Sequence, residues 1–110
     1  MGVSQSTPLY ELTPASGLAA NAGNNTVVTP AAGKRLRVSY LSVNPEAVVE
    51  AAFRFGAAGA LFLRNIVPGK AIVAKDCGDM RFIQGAVGEP LIVNLSAAVP
   101  TLWNAFYQEV

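Results

Sequence analysis

The residues of this chain that come nearest to a chemical motif lie in GAAGALFLRNIVPGK, positions 56–70. Glycines three apart, an apolar run and then Pro68-Gly69-Lys70 raise the question of a phosphate cradle. A P-loop needs four residues between its first glycine and Gly-Lys, a Ser or Thr after the lysine to reach magnesium, and a helix whose backbone N–H groups face the phosphates. Here Arg64 occupies the place of the first glycine, Ala71 follows Lys70, and no helical period follows. A dinucleotide fingerprint fails for a related reason, because Gly56-Ala57-Ala58-Gly59 leads into a strand-like run rather than a helix. The stretch predicts a hairpin at 56–59 and a type II turn at Pro68-Gly69, with Gly69 supplying the positive φ.

The remaining reactive side chains are sparse. The chain has no histidine, which removes the usual general base at neutral pH and the commonest metal ligand. Cys77 would act as a nucleophile only with a lowered pKa, and Lys75 is its one cationic neighbour in sequence, so a packed or loop thiol is expected. Asp76 and Asp79 could offer two carboxylates to a hard cation such as calcium, but such ions want several oxygen ligands, and turn-forming aspartates are the simpler reading. Lys34, Arg35 and Arg37 form a basic cluster whose alternation places Arg35 and Arg37 on one outer face, as a solvated face or an intersubunit salt bridge. Glu46, Glu50, Glu89 and Glu109 are too dispersed to read as a paired acid and base for glycoside cleavage. Asn24-Asn25-Thr26 and Asn94-Leu95-Ser96 match the glycosylation sequon, and Met1-Gly2-Val3-Ser4-Gln5-Ser6 matches the myristoylation pattern; all three read as chance. No cofactor, no metal and no enzymatic activity are expected.

Composition narrows the field further. The 110 residues suit one domain with one modest core, and 52% are apolar against 14% charged, where about 25% charged is usual. A surface so poor in charge implies apolar area covered by another chain. Eight basic and seven acidic residues give a net charge of +1, which offers no field for nucleic acid or an anionic membrane. The single cysteine excludes an internal disulfide and suggests synthesis in a reducing cytoplasm. No apolar run approaches the roughly 20 residues of a membrane span, and the first residues lack the order of a signal peptide, so a soluble chain is expected.

The elements that must position these residues are strands. Residues 1–33 carry a single charge, Glu11, among small and polar residues, and predict an extended N-terminal arm without its own core, one that adds to a neighbouring sheet edge. From residue 34 to residue 110 the period is two, which predicts a β-sandwich domain. Leu36, Val38 and Tyr40 alternate with Arg35, Arg37 and Ser39, then Leu41 and Val43 continue in the opposite phase, which predicts a β-bulge near Tyr40. Val49, Ala51, Phe53 and Phe55 make the cleanest strand, and short β-type segments follow at 61–66, 71–74, 81–84, 91–95 and 102–110. With a short strand at 26–29, this predicts about eight strands in an all-β antiparallel sandwich or barrel. In the last strand Trp103, Ala105 and Tyr107 face one way and Leu102, Phe106 and Val110 the other; both faces are largely apolar, so one is expected to meet a partner.

Three passages carry a resemblance: Gly33-Lys34-Arg35-Leu36-Arg37-Val38, Gly88-Glu89-Pro90-Leu91-Ile92-Val93-Asn94-Leu95-Ser96, and the aromatic strand ending in Tyr107. Over about residues 26–110 the chain resembles the small β-sandwich structural proteins of tailed bacteriophages, the head decoration or cement proteins. The resemblance implies a jelly roll, a homo-oligomer, specifically a homotrimer, and a place in the virion on the capsid surface. There it braces neighbouring major capsid protein subunits after synthesis in the bacterial host cytoplasm. It implies no catalytic motif. The residues expected at the subunit or capsid contact are Leu9, Tyr10 and Leu12 of the arm, with Trp103, Phe106 and Tyr107. Two rivals are a receptor- or carbohydrate-binding head domain of a phage fibre, which needs Trp103 or Tyr107 exposed beside Asp76 and Asp79, and a small hydrolase or isomerase, which needs a pocket of convergent titratable groups.

Overall fold

A computed structural model describes residues 12–76 and 82–110. Nine strands, all paired antiparallel, account for its regular structure: β1 Thr13–Ala19, β2 Gly23–Val28, β3 Leu36–Pro45, β4 Val49–Phe55, β5 Phe62–Val67, β6 Val73–Asp76, β7 Ile83–Gln84, β8 Leu91–Leu95 and β9 Thr101–Glu109. One sheet has the order β1-β9-β3-β6, with β7 also paired to β3; the other has the order β2-β8-β4-β5. The all-β sandwich expected from the alternation is therefore the architecture, with one strand more than the eight anticipated.

The added strand is β1. The expected boundary at residue 34 does not separate an arm from the sandwich, because β1 pairs with β9 over Thr13 to Ala19 and β2 pairs with β8 within the same chain. Backbone pairing needs no large side chains, so a run as small and polar as TPASGLA joins a sheet whose core other strands supply. The Asn25 amide secures the reversal between β1 and β2, donating from Nδ2 to the Asn21 and Gly23 carbonyls at 2.8 and 3.2 Å while Oδ1 accepts from the Asn21 N–H. Residues 1–11, with Leu9 and Tyr10, lie outside the described residues.

The core lies between the sheets. Leu36, Val38, Leu41, Val43, Trp103 and Ala105 of the first sheet meet Val49, Ala51, Phe53, Phe55, Leu91, Val93 and Leu95 of the second. Burying each of the larger aliphatic side chains contributes about 1.5–3 kcal/mol against leaving it exposed. Phe62 stacks on Phe55 and Phe53, with ring centroids 5.5 and 6.2 Å apart. The phase change in β3 has the expected cause: in the pairing with β9, Val38 faces Tyr107 and Tyr40 faces Phe106, which leaves Ser39 as the extra residue of a bulge. That residue keeps Leu36 and Val38 on the same inner face as Leu41 and Val43.

The turn after β5 differs from expectation in detail. Ala71 N–H donates to the Pro68 carbonyl at 3.2 Å, and the residue with positive φ is Lys70, at 63°, rather than Gly69. Glycine is needed at 69 for a different reason, since a Cβ there would stand 2.9 Å from Ala47 Cα. The close approach lets Lys70 N–H donate to the Pro45 carbonyl at 2.6 Å, tying the turn to the end of β3.

Candidate functional site

The motif-like stretch at 56–70 forms the turn after β4, the strand β5 and the turn that follows it. Gly59 N–H donates to the Gly56 carbonyl at 3.2 Å, closing the turn between β4 and β5. Arg64 projects from β5 into a two-point contact with Glu50 of β4, Nε donating to Oε2 at 2.8 Å and Nη2 to Oε1 at 3.2 Å. The hydrogen bond from Arg64 is the main cause that holds the Glu50 carboxyl below its ordinary range, and the same pairing raises Arg64. Sequence reasoning missed this pair, because the register between β4 and β5 shifts between Ala51 and Phe53 and cannot be counted from the turn.

Glu89 and Glu109 each accept a backbone hydrogen bond apart from that pair. Glu89 Oε1 accepts from the Ala86 N–H at 3.0 Å in the loop before β8, and Glu109 Oε1 accepts from the Ala31 N–H at the end of β9. Arg37 Nε donates to Gln84 Oε1 at 2.7 Å across the β3–β7 pairing. The two sequon asparagines are register partners on the outer face of the second sheet, where Asn94 Nδ2 donates to Asn24 Oδ1 at 2.8 Å and Arg54 Nη1 donates to the same oxygen at 3.3 Å. Among the described residues no three of His, Cys, Asp and Glu come together as a metal site. Asp76 ends β6, while Cys77 and Asp79 lie outside the described residues. A cavity of about 60 Å³ opens between the sheets beside β5 and β6, lined by Leu41, Val43, Phe53, Leu63, Val73 and Lys75 among others. It has room for a few waters and is largely apolar.

The residues expected at a contact divide by the pleat of β9. Trp103 is not at the surface: it is 7% exposed and belongs to the core, with its indole lying over Gly17 of β1 so closely that a Cβ there would sit 3.0 Å from Cζ2. Tyr107 is half-buried and packs against the same core, and Leu12 is half-buried just before β1. Phe106 alone of the three named β9 aromatics stands outward, 43% exposed, with its ring 5.6 Å from that of Tyr40. With Trp103 inside, Tyr107, itself half-buried, is the one aromatic left of the two that the fibre-head reading offered.

The outer face of the first sheet presents a coherent surface among the described residues. The register lays its side chains in three rows: Pro14, Phe106 and Tyr40; Ser16, Asn104 and Ser42; Leu18, Leu102 and Asn44. None of these nine residues is charged. Leu18 is 61% and Leu102 53% exposed. Two open grooves lie on this face, one of about 490 Å³ along Pro14, Ser16, Tyr40, Asn104 and Phe106, the other of about 390 Å³ beside Leu18 and Leu102. Charges stand at the margin: Arg37 at one end, Glu46 and Lys70 at the other, and Asp76 on the edge strand β6. The outer face of the second sheet is different, carrying Glu50, Arg54, Arg64 and the Asn24–Asn94 pair. Sequence patterning pointed to Leu102 and Phe106 but not to Leu18 or Pro14, whose inward neighbours Ala15, Gly17 and Ala19 are too small to give contrast along β1. No protein-family model matches the chain, and no curated protein matches its sequence.

Proposed function

We propose that this chain is a virion structural protein that decorates a phage capsid and braces neighbouring major capsid protein subunits. The observation that carries the reading is the distribution of exposed apolar side chains. Leu18, Leu102 and Phe106 lie outside the first sheet, Ile66 and Val48 on and beside the second, and Ile72 and Val87 in connecting segments. Scattered exposed leucines are ordinary on a monomer. A contiguous uncharged face together with apolar residues on other sides suits a subunit that contacts more than one neighbour. The strand orders β1-β9-β3-β6 and β2-β8-β4-β5, with the two-residue β7 set aside, support reading the sandwich as a jelly roll, in keeping with the resemblance. The mechanism is mechanical: distributed apolar and hydrogen-bonded contacts clamp adjacent capsomers against outward pressure from packaged DNA.

The test is electron microscopy of virions made with and without this chain, alongside their survival on heating. The expected result is density on the head surface that disappears with the protein, and lower heat resistance in its absence. Density confined to the tail tip would overturn the reading in favour of a fibre component.

A further inference from the structure

We propose that the cavity between the sheets beside β5 and β6 is a binding site for a short aliphatic carboxylate, with the alkyl chain inside and the carboxylate on Lys75 at the mouth.

The sandwich is open on this side. β5 ends the order of the second sheet and β6 that of the first, and no ladder joins the two edge strands. Behind them the floor of the cavity is apolar. Leu41 and Val43 of β3 and Ala51 and Phe53 of β4 form it, all buried, with Leu63 and Val73 half-buried at its sides. Ala51 makes room, since it is smaller than Val49 and Phe53, the buried residues two places before and after it in β4. An apolar pocket with a few convergent polar groups is the usual form of a small-molecule site.

Register supplies the polar groups. Residues directly opposite in an antiparallel pair share a face, and Lys75 lies opposite Leu41 while Asn65 lies opposite Ala51. Leu41 and Ala51 are core residues, so Lys75 and Asn65 belong to the inner face although both are exposed. Their polar ends stand at the rim of the cavity that both line. Lys75 is the one charge in that lining, and its neighbour Asp76 lies opposite Tyr40 on the outer face. The rim is therefore cationic and favours an anionic head. An inward-pointing lysine also guards an edge strand against pairing with another chain, but that role needs no cavity behind it.

Backbone strain falls at the same place. Between the pairs Ala51–Asn65 and Phe53–Phe62, Leu63 and Arg64 of β5 oppose the single Ala52 of β4. Arg64 turns out to Glu50, while Leu63 lines the cavity with a φ of 50°. Left-handed residues other than glycine cluster at ligand clamps, where the surrounding structure holds them. Asn65 Nδ2 donates to the Leu63 carbonyl at 3.2 Å, which orients the amide; a carboxamide has a second N–H to offer a carboxylate.

Volume sets the ligand. The cavity holds about 60 Å³. A water-sized group takes roughly 30 Å³ of liquid, so the interior suits an alkyl tail of about two or three carbons. Propionate and butyrate carry such a tail behind a carboxylate. A tail this short implies a dissociation constant on the order of millimolar.

The experiment titrates the full chain with sodium butyrate at constant ionic strength and follows its methyl and amide NMR signals. Saturable shifts are expected at Leu41, Val43, Leu63 and Val73. Butyrate is expected to bind about threefold more tightly than 1-butanol, which lacks the charge, or butylammonium, which reverses it. It should also exceed acetate, which lacks the tail, by about tenfold. Lys75→Glu, at an exposed position, is expected to invert the order, so that butylammonium binds better than butyrate, a gain that misfolding could not produce. Ala51→Val narrows the cavity and is expected to weaken butyrate about tenfold with Lys75 in place. The proposal is overturned by the absence of saturation well above millimolar butyrate, by equal binding of acetate, or by shifts centred on the outer face of the first sheet. An unchanged order in Lys75→Glu overturns it too, and leaves Lys75 as a guard of the edge alone.

Discussion

Replacing Trp103 by alanine tests whether this side chain belongs to the core or to a contact. The indole is 7% exposed, so nearly all of the 150–250 Å² that an aromatic side chain typically buries is removed from water. At about 25 cal/mol per Å² that corresponds to ~4–6 kcal/mol, and allowing for apolar burial in the denatured chain lowers it to ~3–5 kcal/mol. Measured tryptophan-to-alanine costs in cores fall in the same range of ~3–5 kcal/mol. A domain has about 5–15 kcal/mol in total, so the variant is expected to keep a fold of much reduced stability. With a urea m-value of about 1–3 kcal/mol/M, the midpoint followed by far-ultraviolet circular dichroism should fall by roughly 2 M. The neighbouring Leu102→Ala, on the opposite face and 53% exposed, should lose less than about 1 kcal/mol. If Trp103→Ala moved the midpoint by less than about 0.5 M while abolishing self-association, the reasoning would be refuted and Trp103 returned to the interface.

Two further outcomes are expected. Lys70 holds a φ of 63°, a left-handed conformation that costs a non-glycine residue about 1 kcal/mol, so Lys70→Gly should raise the thermal midpoint by a few degrees in calorimetry; a fall would mean that the lysine stem makes a contact worth more than the strain. Glu50 has a folded pKa depressed chiefly by its hydrogen bond from Arg64. Its contribution is therefore present above the ordinary glutamate value of about 4.3 and is lost as pH falls through the lower folded value. Wild type should lead Glu50→Gln in stability at about pH 6 and the lead should close near about pH 3, and a constant lead in urea titrations across that range would contradict the pairing.

Much of the sandwich was legible because alternation reports burial directly. Val49, Ala51, Phe53 and Phe55 point inward in β4, and the phase change at Tyr40 is the bulge at Ser39. β1 was illegible for the same reason: Ala15, Gly17 and Ala19 face inward but are small, and their place is set by backbone pairing to β9 and by the Trp103 indole above Gly17. The two apolar faces of β9 were both visible, yet their assignment was not. Which face a strand buries depends on the sheet opposite it, and that information lies in residues such as Leu41, Val93 and Leu95, distant along the chain.

By itself the sequence determined the strand class, the approximate strand positions from β2 to β9, the scarcity of charge and the absence of histidine, since these follow from residue type and local period. Tertiary structure alone decided that β1 closes the first sheet, that Glu50 meets Arg64, and that Trp103 is interior while Pro14, Leu18, Leu102, Asn104 and Phe106 share one uncharged surface. Each of these depends on register between strands far apart in sequence, and a shift of one residue in register would turn every side chain of a strand to its other face.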